Sequence, residues 1–313
     1  MTRGMYIRRR LLLMLPTAFG VTLITFFMIH LIPGDPAVTM LGIRATPKAV
    51  ALLRNEWGLN RPLYEQYWLF LSRIVRGNFG TSLFYGSSAT GLILRASLVT
   101  FELIVYAVIL SIVIAVPLAV LAATHRNRVA DQAVRAIPLI GMGMPSAWIA
   151  IMLILLLGLK SHVFPVAGLQ AGFVGHLDSM FLPSLTLSLG IAPLLIRSLR
   201  SSLIDAFDAD FVTTARSKGI REYRVLIRHA IRNSLASSLN ILGLQIAFLI
   251  SGTLVVESVF ALPGVGALMV NSIFRRDFPV VQGITFLLAV AVILTNLGTD
   301  IIHSIVDPRV RFE

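Results

Sequence analysis

The chain is broken into apolar runs of about 20 residues, the length a helix needs to cross the hydrocarbon of a bilayer. They fall near residues 11–32, 99–123, 136–159, 181–200, 239–260 and 282–305. Lipid offers no water to bond backbone amides, so each run must satisfy its own, which an α-helix does. Composition agrees: 56% hydrophobic and 13% charged residues, with a mean hydropathy of +0.84, lie outside the range of soluble domains. The expected fold is an all-α integral membrane protein with six transmembrane helices. The first run is too long for a cleaved signal peptide, and no small-residue cleavage site follows Ile32-Pro-Gly-Asp-Pro36.

The net charge of +12 reads as topology. With the N-terminus inside, basic residues gather at Arg3 and Arg8–Arg10, at Arg126, Arg128 and Arg135, and after the fourth run. That loop holds Arg197, Arg200, Arg216, Lys218, Arg221, Arg224, Arg228 and Arg232, and Arg309 and Arg311 follow the last run. Short loops on the other side hold only Lys160, Arg275 and Arg276. The asymmetry predicts a multi-pass protein with cytoplasmic N- and C-termini. No aromatic-rich basic module accompanies the charge, so nucleic acid is not an expected partner. Cysteine is absent, which removes disulfides, thiolate ligands and thiol nucleophiles.

These boundaries divide the chain into an N-terminal segment and first helix (1–32), an external segment (33–98), a five-helix core (99–305) and a cytoplasmic tail (306–313). In the external segment, Thr46-Pro47 reads as a helix start and Gly58 as its stop, while Pro62 and Gly77 bracket a second helix. Tyr64, Tyr67, Trp68, Leu71 and Val75 form an apolar stripe on that second helix. The stripe suits a membrane–water interface or another subunit, and the helix pair reads as a lid over the bundle or a cap over a substrate entrance.

No enzyme constellation is present. The histidines lack metal-site spacing, and there is neither a nucleophile elbow nor a Walker loop to cradle phosphates. His162 and His176 read as satisfied surface residues. Polar residues within or beside spans stand out, because a charge at mid-bilayer costs about 2.5–3.5 kcal/mol or more. Glu102 and Glu257 are expected near outer span ends. Glu257, Asn296 and Asp300 are candidates for a pathway or gate, or for interhelical hydrogen bonds.

The loop 203–235 carries Asp210-Phe-Val-Thr-Thr-Ala-Arg-Ser-Lys-Gly219, the parts of one short helix. Asp208 and Asp210 suit its N-terminus, Arg216 and Lys218 its C-terminus, and Gly219 a left-handed stop. Thr214 and Ala215 are small enough to let another surface approach. A capped helix presented on a membrane loop reads as a docking peg.

Nine passages in order then resemble one family over the whole chain. They are Arg8-Arg-Arg-Leu, Leu31-Ile-Pro-Gly-Asp-Pro36, Gly58-Leu-Asn-Arg-Pro-Leu-Tyr-Glu-Gln-Tyr67 and Gly77-Asn-Phe-Gly-Thr-Ser82. Thr214-Ala-Arg-Ser-Lys-Gly219, Arg228-His-Ala-Ile-Arg-Asn233, Pro263-Gly-Val-Gly266, Arg276-Asp-Phe-Pro279 and Asp307-Pro-Arg-Val-Arg311 complete the set. The chain resembles the B-type permease subunit of bacterial ABC importers for dipeptides, oligopeptides and nickel. The resemblance implies a type I importer fold working by alternating access. It implies partners: a second homologous permease, two ABC ATPase subunits, an external substrate-binding protein and the lipid bilayer. Thr214, Ala215 and Gly219 then fall on the EAA coupling motif, with Thr where that motif has Glu, and Asp210, Arg216, Lys218 and Arg228 flank it as ATPase-coupling residues. No cofactor is implied for this chain, since ATP and Mg belong to the ATPases. The implied cargo is a di- or oligopeptide, with nickel, another metal chelate or glutathione as alternatives. An ion-driven secondary transporter is the rival class, and it would show facing intramembrane acids or an internal repeat.

Overall fold

The structure, a computed structural model, describes residues 3–31, 35–42, 45–82 and 84–306. Secondary structure among them is helical, apart from one isolated bridge between Thr81 and Ser88. The six runs become α1 (Arg3–His30), α5 (Ala89–Thr124), a broken third run, α8 (Phe173–Phe207), α11 (Arg232–Val259) and α13 (Phe278–Val306). Ala89–Thr124, Phe173–Phe207, Ile241–Val259 and Phe278–Thr299 are long and apolar enough to cross a membrane. Met14–Met28 and Ser146–Lys160 are shorter apolar helical stretches.

The third run departs from the expected single helix over 136–159. It divides into α6 (Val129–Met142) and α7 (Ser146–Leu153), which continues as a π-helical stretch, Ile154–Lys160. Pro145 causes the break. It has no amide proton to bond backward and stands instead as the N-cap of α7, in extended geometry at ψ 137°. Sequence reading also merged one short apolar helix, α12 (Val265–Phe274), into a loop.

The residues cluster into two compact units. The larger holds Phe101–Leu262 with Met1–Tyr6 and Leu294–Glu313. Its core is built on small side chains: Ala115, Ala119, Ala122 and Ala123 of α5 are buried with Ala192, Leu195, Ile196, Leu199, Leu203 and Ala206 of α8. Lipid tails are as apolar as leucine, so helices in a membrane associate by close packing, and alanine permits it. Gly243 takes this furthest. A Cβ there would stand 2.1 Å from Thr299 Oγ1 and 2.2 Å from Thr299 Cγ2, so α11 meets α13 through a bare glycine.

The smaller unit holds Ile7–Thr100 and Pro263–Ile293. Three helices follow α1: α2 (Pro36–Leu41), α3 (Pro47–Trp57) and α4 (Leu63–Val75). Thr46 Oγ1 accepts from Ala49 N, Pro47 occupies the first turn, and Gly58 ends α3 in the left-handed region at φ 69°. Asp35 caps α2 by accepting from Ala37 N at 3.0 Å. The same carboxylate binds Arg54 Nη2 at 2.7 Å, which ties α2 to α3. Around residue 80 the chain turns tightly, and Ser82 Oγ donates to the buried Asp277 carboxylate just ahead of α13.

Gly243→Ala should lower stability by about 1–3 kcal/mol, the usual cost of overpacking. Gly190→Ala on α8, where nothing lies within 4 Å, should stay within about 0.5 kcal/mol. Thermal unfolding of the two variants in detergent checks the contrast.

Candidate functional site

The helix expected in loop 203–235 forms as α9 (Asp210–Ser217), held between the end of α8 and a following helix, α10 (Glu222–Arg224), that continues as the π-helical Val225–Ile231. Its end has a specific bonding pattern. Gly219 N donates to Arg216 O at 2.9 Å and Ile220 N to Ala215 O at 3.2 Å, with Gly219 at φ 72°. These are the two crossed bonds of a Schellman stop, and Gly219 alone lacks the Cβ that would oppose that left-handed backbone. The matching apolar contact is present, since Ile220 packs against buried Val212, Ala215 and Val225.

The start differs from the sequence reading. Ala209 is the N-cap and no side chain bonds there, so neither Asp208 nor Asp210 caps α9. Asp210 sits exposed at the first helical position, where only the dipole acts on it. Asp208 turns away to bind Arg126 Nη1 at 3.0 Å, because α8 ends beside the turn after α5.

The faces of α9 are also redistributed. Ala215 is buried with Val212, so the small side chain admits Ile220 and Val225 from the same polypeptide and is not an open contact point. Phe211, Thr214 and Lys218, at i, i+3 and i+7, form the open face. Phe211 is 42% exposed, and Tyr223 and Ile227 on the following helical stretch are 71% and 47% exposed. Arg216 is committed internally through a bidentate pair with Glu222, Nε–Oε1 at 2.8 Å and Nη2–Oε2 at 3.2 Å. Lys218 and Arg228 are exposed. A cleft of about 520 Å³ opens next to α9, lined by Arg126, Phe207, Asp208, Arg216, Glu222 and Tyr223 among others.

Behind this element stands a feature that sequence reading missed. Asp131, in the first turn of α6, is fully buried and receives both arms of the Arg200 guanidinium, Nε at 2.5 Å and Nη2 at 2.7 Å. Asn127 N donates to the same carboxylate at 2.9 Å, and Arg135 lies 3.6 Å away. The Arg200 hydrogen bonds hold the Asp131 carboxyl at about 2, well below its ordinary value, against the opposing effect of burial. This clamp joins α6 to α8 one helical stretch before α9. Its only sequence signal was the i,i+4 spacing of Asp131 and Arg135, since Arg200 lies 69 positions away.

The intramembrane candidates differ in exposure. Glu257 is fully buried near the end of α11, where sequence reading expected a snorkelling carboxylate. Asn296 is exposed on α13, and the side chain of Asp300 lies outside the described residues. Glu102 is half exposed and meets His176 Nε2 at 2.8 Å, so His176 is a satisfied surface residue. No group of three or more metal-ligating side chains occurs among the described residues.

Residues 115–312 match the family described as binding-protein-dependent transport system inner membrane component, and residues 1–88 match the N-terminal region of such membrane components. Glutathione transport system permease protein GsiC of Escherichia coli (strain K12) is 32% identical over 308 residues, spanning 98% of this chain and 99% of that one. The GsiC of Salmonella choleraesuis shows the same identity and coverage. Among solved structures, the inward-facing MetNI methionine ABC transporter matches with a TM-score of 0.58 and 17% identity, over 69% of this chain and 96% of the other. That likeness establishes the shared fold.

Asp131→Asn should destabilise the chain by on the order of 3 kcal/mol near neutral pH, because Arg200 loses its buried counter-ion. The carboxyl is more acidic folded than unfolded, so the clamp contributes in full above about pH 4 and is lost as pH falls through about 2. The melting-temperature gap between Asp131→Asn and the parent should therefore hold at pH 7 and 5, and narrow below pH 4.

Proposed function

The chain belongs to the binding-protein-dependent inner-membrane permease family, and on that footing we propose that α9 is the helix through which ATPase subunits move its spans. The protein is a transport subunit and not an enzyme, and it works with a second permease, ATPase subunits and a substrate-binding protein. The observation that carries the α9 assignment is a short helix with a Schellman stop and an open face of Phe211, Thr214 and Lys218.

Physical chemistry says which of these side chains matter. Exposed ion pairs contribute about 0–1 kcal/mol each, so Asp210, Lys218 and Arg228 orient more than they hold. Burying a large apolar side chain contributes about 1.5–3 kcal/mol, so Phe211, Tyr223 and Ile227 supply the grip. Thr214 keeps the helix centre narrow. Ala215, Arg216 and Gly219 act from behind by fixing the shape of the peg.

ATP and Mg are bound by the ATPase subunits. When those subunits close on ATP they draw α9 toward its counterpart on the second permease. The Asp131–Arg200 clamp passes that movement from α8 to α6, and the spans switch between inward-open and outward-open as a two-state device. In this reading 203–235, both termini and the tail 306–313 face the cytoplasm, while 33–98 lie outside. Glu257, Asn296 and Asp300 are the residues to examine for a pathway through the core 99–305. The cargo is a small peptide. Relatives named for glutathione, itself a tripeptide, support a peptide of that size over a nickel or other metal chelate.

A cysteine introduced at Thr214 or Phe211 should cross-link to an ATPase subunit, whereas one at buried Val212 should not. Phe211→Ala should cut ATP-driven uptake about tenfold or more with membrane insertion unchanged, the equivalent of about 1.4 kcal/mol or more of lost contact. Cross-linking at Val212 alone, or undiminished uptake in Phe211→Ala, would sink the assignment. Competition of labelled-peptide uptake by glutathione, dipeptides and nickel chelates reads out the cargo.

A further inference from the structure

The second external helix, α4, is not placed as a lid in water would be. Its inward residues meet α1 along the spanning part of that helix. Gln66 Oε1 lies 3.0 Å from His30 Nε2, at the end of α1. Phe70 packs against Phe26 with the rings tilted at 51° and centroids 5.7 Å apart. Tyr67 reaches deepest: its hydroxyl pairs with Thr22 Oγ1 at 2.7 Å, and its ring lies 6.2 Å from Phe19 and 5.4 Å from Phe26.

Helical rise converts these contacts into depth. Thr22 is eight residues before His30, so it lies roughly 12 Å along the axis from that end. The apolar stretch of α1 begins after Arg10, and about 20 residues at that rise span the roughly 30 Å of hydrocarbon, which brings its far boundary near His30. A helix whose side chains meet α1 between His30 and Phe19 is therefore at the level of the acyl chains and not above them.

The opposite face of α4 fits that depth. The expected five-residue stripe is split by the fold: Tyr67 turns onto α1, while Tyr64, Trp68 and Val75 point away and are 73%, 70% and 79% exposed. Two of the nearby charges are engaged elsewhere, and Arg76 stays exposed at the C-cap of α4. Arg73 Nη2 swings back to Glu56 O at 2.8 Å, and Arg61 pairs with Glu65 at 3.7 Å before the first turn is complete. On α1 itself Leu15, Phe19, Ile24 and Phe27 are also open. An unpaired apolar face at hydrocarbon level, with a tyrosine and a tryptophan at one end, has the chemistry of an interfacial anchor.

We propose that α4 is a lipid-embedded helix. Its Tyr64–Trp68–Val75 face lies in the leaflet nearest the His30 end of α1, so that the external segment is held to the membrane surface and does not move as a free lid. The occupant of the face is lipid. The inference requires only that α1 crosses the bilayer, and is independent of the role given to α9.

Because the chain contains no cysteine, a spin label can be attached at one position at a time. Trp68→Cys and Val75→Cys, with Lys48→Cys on α3 as the reference, would be labelled in the complete transporter, its other subunits freed of reactive thiols, in lipid nanodiscs. ATP-driven uptake by the same labelled complexes in proteoliposomes certifies assembly, so any result speaks to α4 alone. Collision with oxygen, which concentrates in lipid, is compared with collision with a water-soluble nickel chelate. Labels at 68 and 75 should favour oxygen, with the 68 label roughly 5–10 Å below the headgroup–acyl boundary, while the label at 48 favours nickel. Nickel access at 68 and 75 matching that at 48 would overturn the proposal and restore a lid in water. Shielding from both reagents would also overturn it, and would mean that another protein surface covers the face.

Discussion

Hydrocarbon contains nothing for a backbone amide to bond, and the rest of this architecture follows from that constraint. Every spanning stretch closes its hydrogen bonds within itself, so the chain is helical where it meets lipid. The same solvent removes the usual reason for helices to associate, because burying a leucine against another helix gains little over leaving it among lipid tails. What remains is close approach and a few polar ties. Close approach appears as alanines between α5 and α8 and as Gly243 under Thr299. Polar ties appear where segments leave the apolar zone: Asp131 with Arg200, Asp35 with Arg54, and Ser82 with Asp277. Removing one member of the buried Asp131–Arg200 or Ser82–Asp277 pair leaves the other uncompensated. These two ties therefore fix where segments join more firmly than any single apolar contact, while the exposed Asp35–Arg54 pair adds little.

Local rules made much of the fold legible. Length and hydropathy found the six runs. Thr46-Pro47 with Gly58 marked both ends of α3, and Gly219 marked the end of α9, since caps and stops depend on adjacent residues. Asp35-Pro36 carries the same start signal as Thr46-Pro47 but passed unread, because α2 is only six residues long. The break in the third run is legible only in part. Pro145 reads as a kink in that apolar stretch, but hydropathy does not register a missing amide proton, so the run reads as one helix. Pairings across the fold had no sequence signal at all. Asp131 and Arg200 are separated by a whole helix–turn–helix, and each looks like an ordinary loop charge until packing brings them together. Facing was the remaining failure. Ala215 reads as open from its size, and only the packing of Ile220 and Val225 turns it inward.

The passages that carry the family resemblance are largely pairing residues. Gly77–Ser82 and Arg276–Pro279 meet when Ser82 donates to Asp277. In the passage from Leu31 to Pro36, Asp35 is the cap that also binds Arg54. In the passage from Gly58 to Tyr67, Gln66 bonds His30 and the Leu59 and Arg61 carbonyls, while Tyr67 bonds Thr22. These contacts organise the segment between α1 and α5.

The coupling role proposed for α9 poses a mechanical question that the energetics of the helix answer. An isolated helix needs roughly 12–15 residues to be even marginally stable in water, and α9 has eight. Its own core is four side chains, Val212, Ala215, Ile220 and Val225, two of which lie outside the helix. The stiffness of α9 is therefore borrowed: from the Schellman bonds, from the Arg216–Glu222 bridge to α10, and from the packing of the π-helical stretch beneath it. A force applied at Phe211 or Thr214 cannot tilt α9 without moving α10 and the head of α11 as well. At its other side α9 follows directly from α8, which is held to α6 by the Asp131 clamp. On the proposed coupling role, the piece that would move is the whole of 203–235 with the helix ends that enter it. A push at its tip is divided between α8 and α11, the two levers that a switch between two packed states requires.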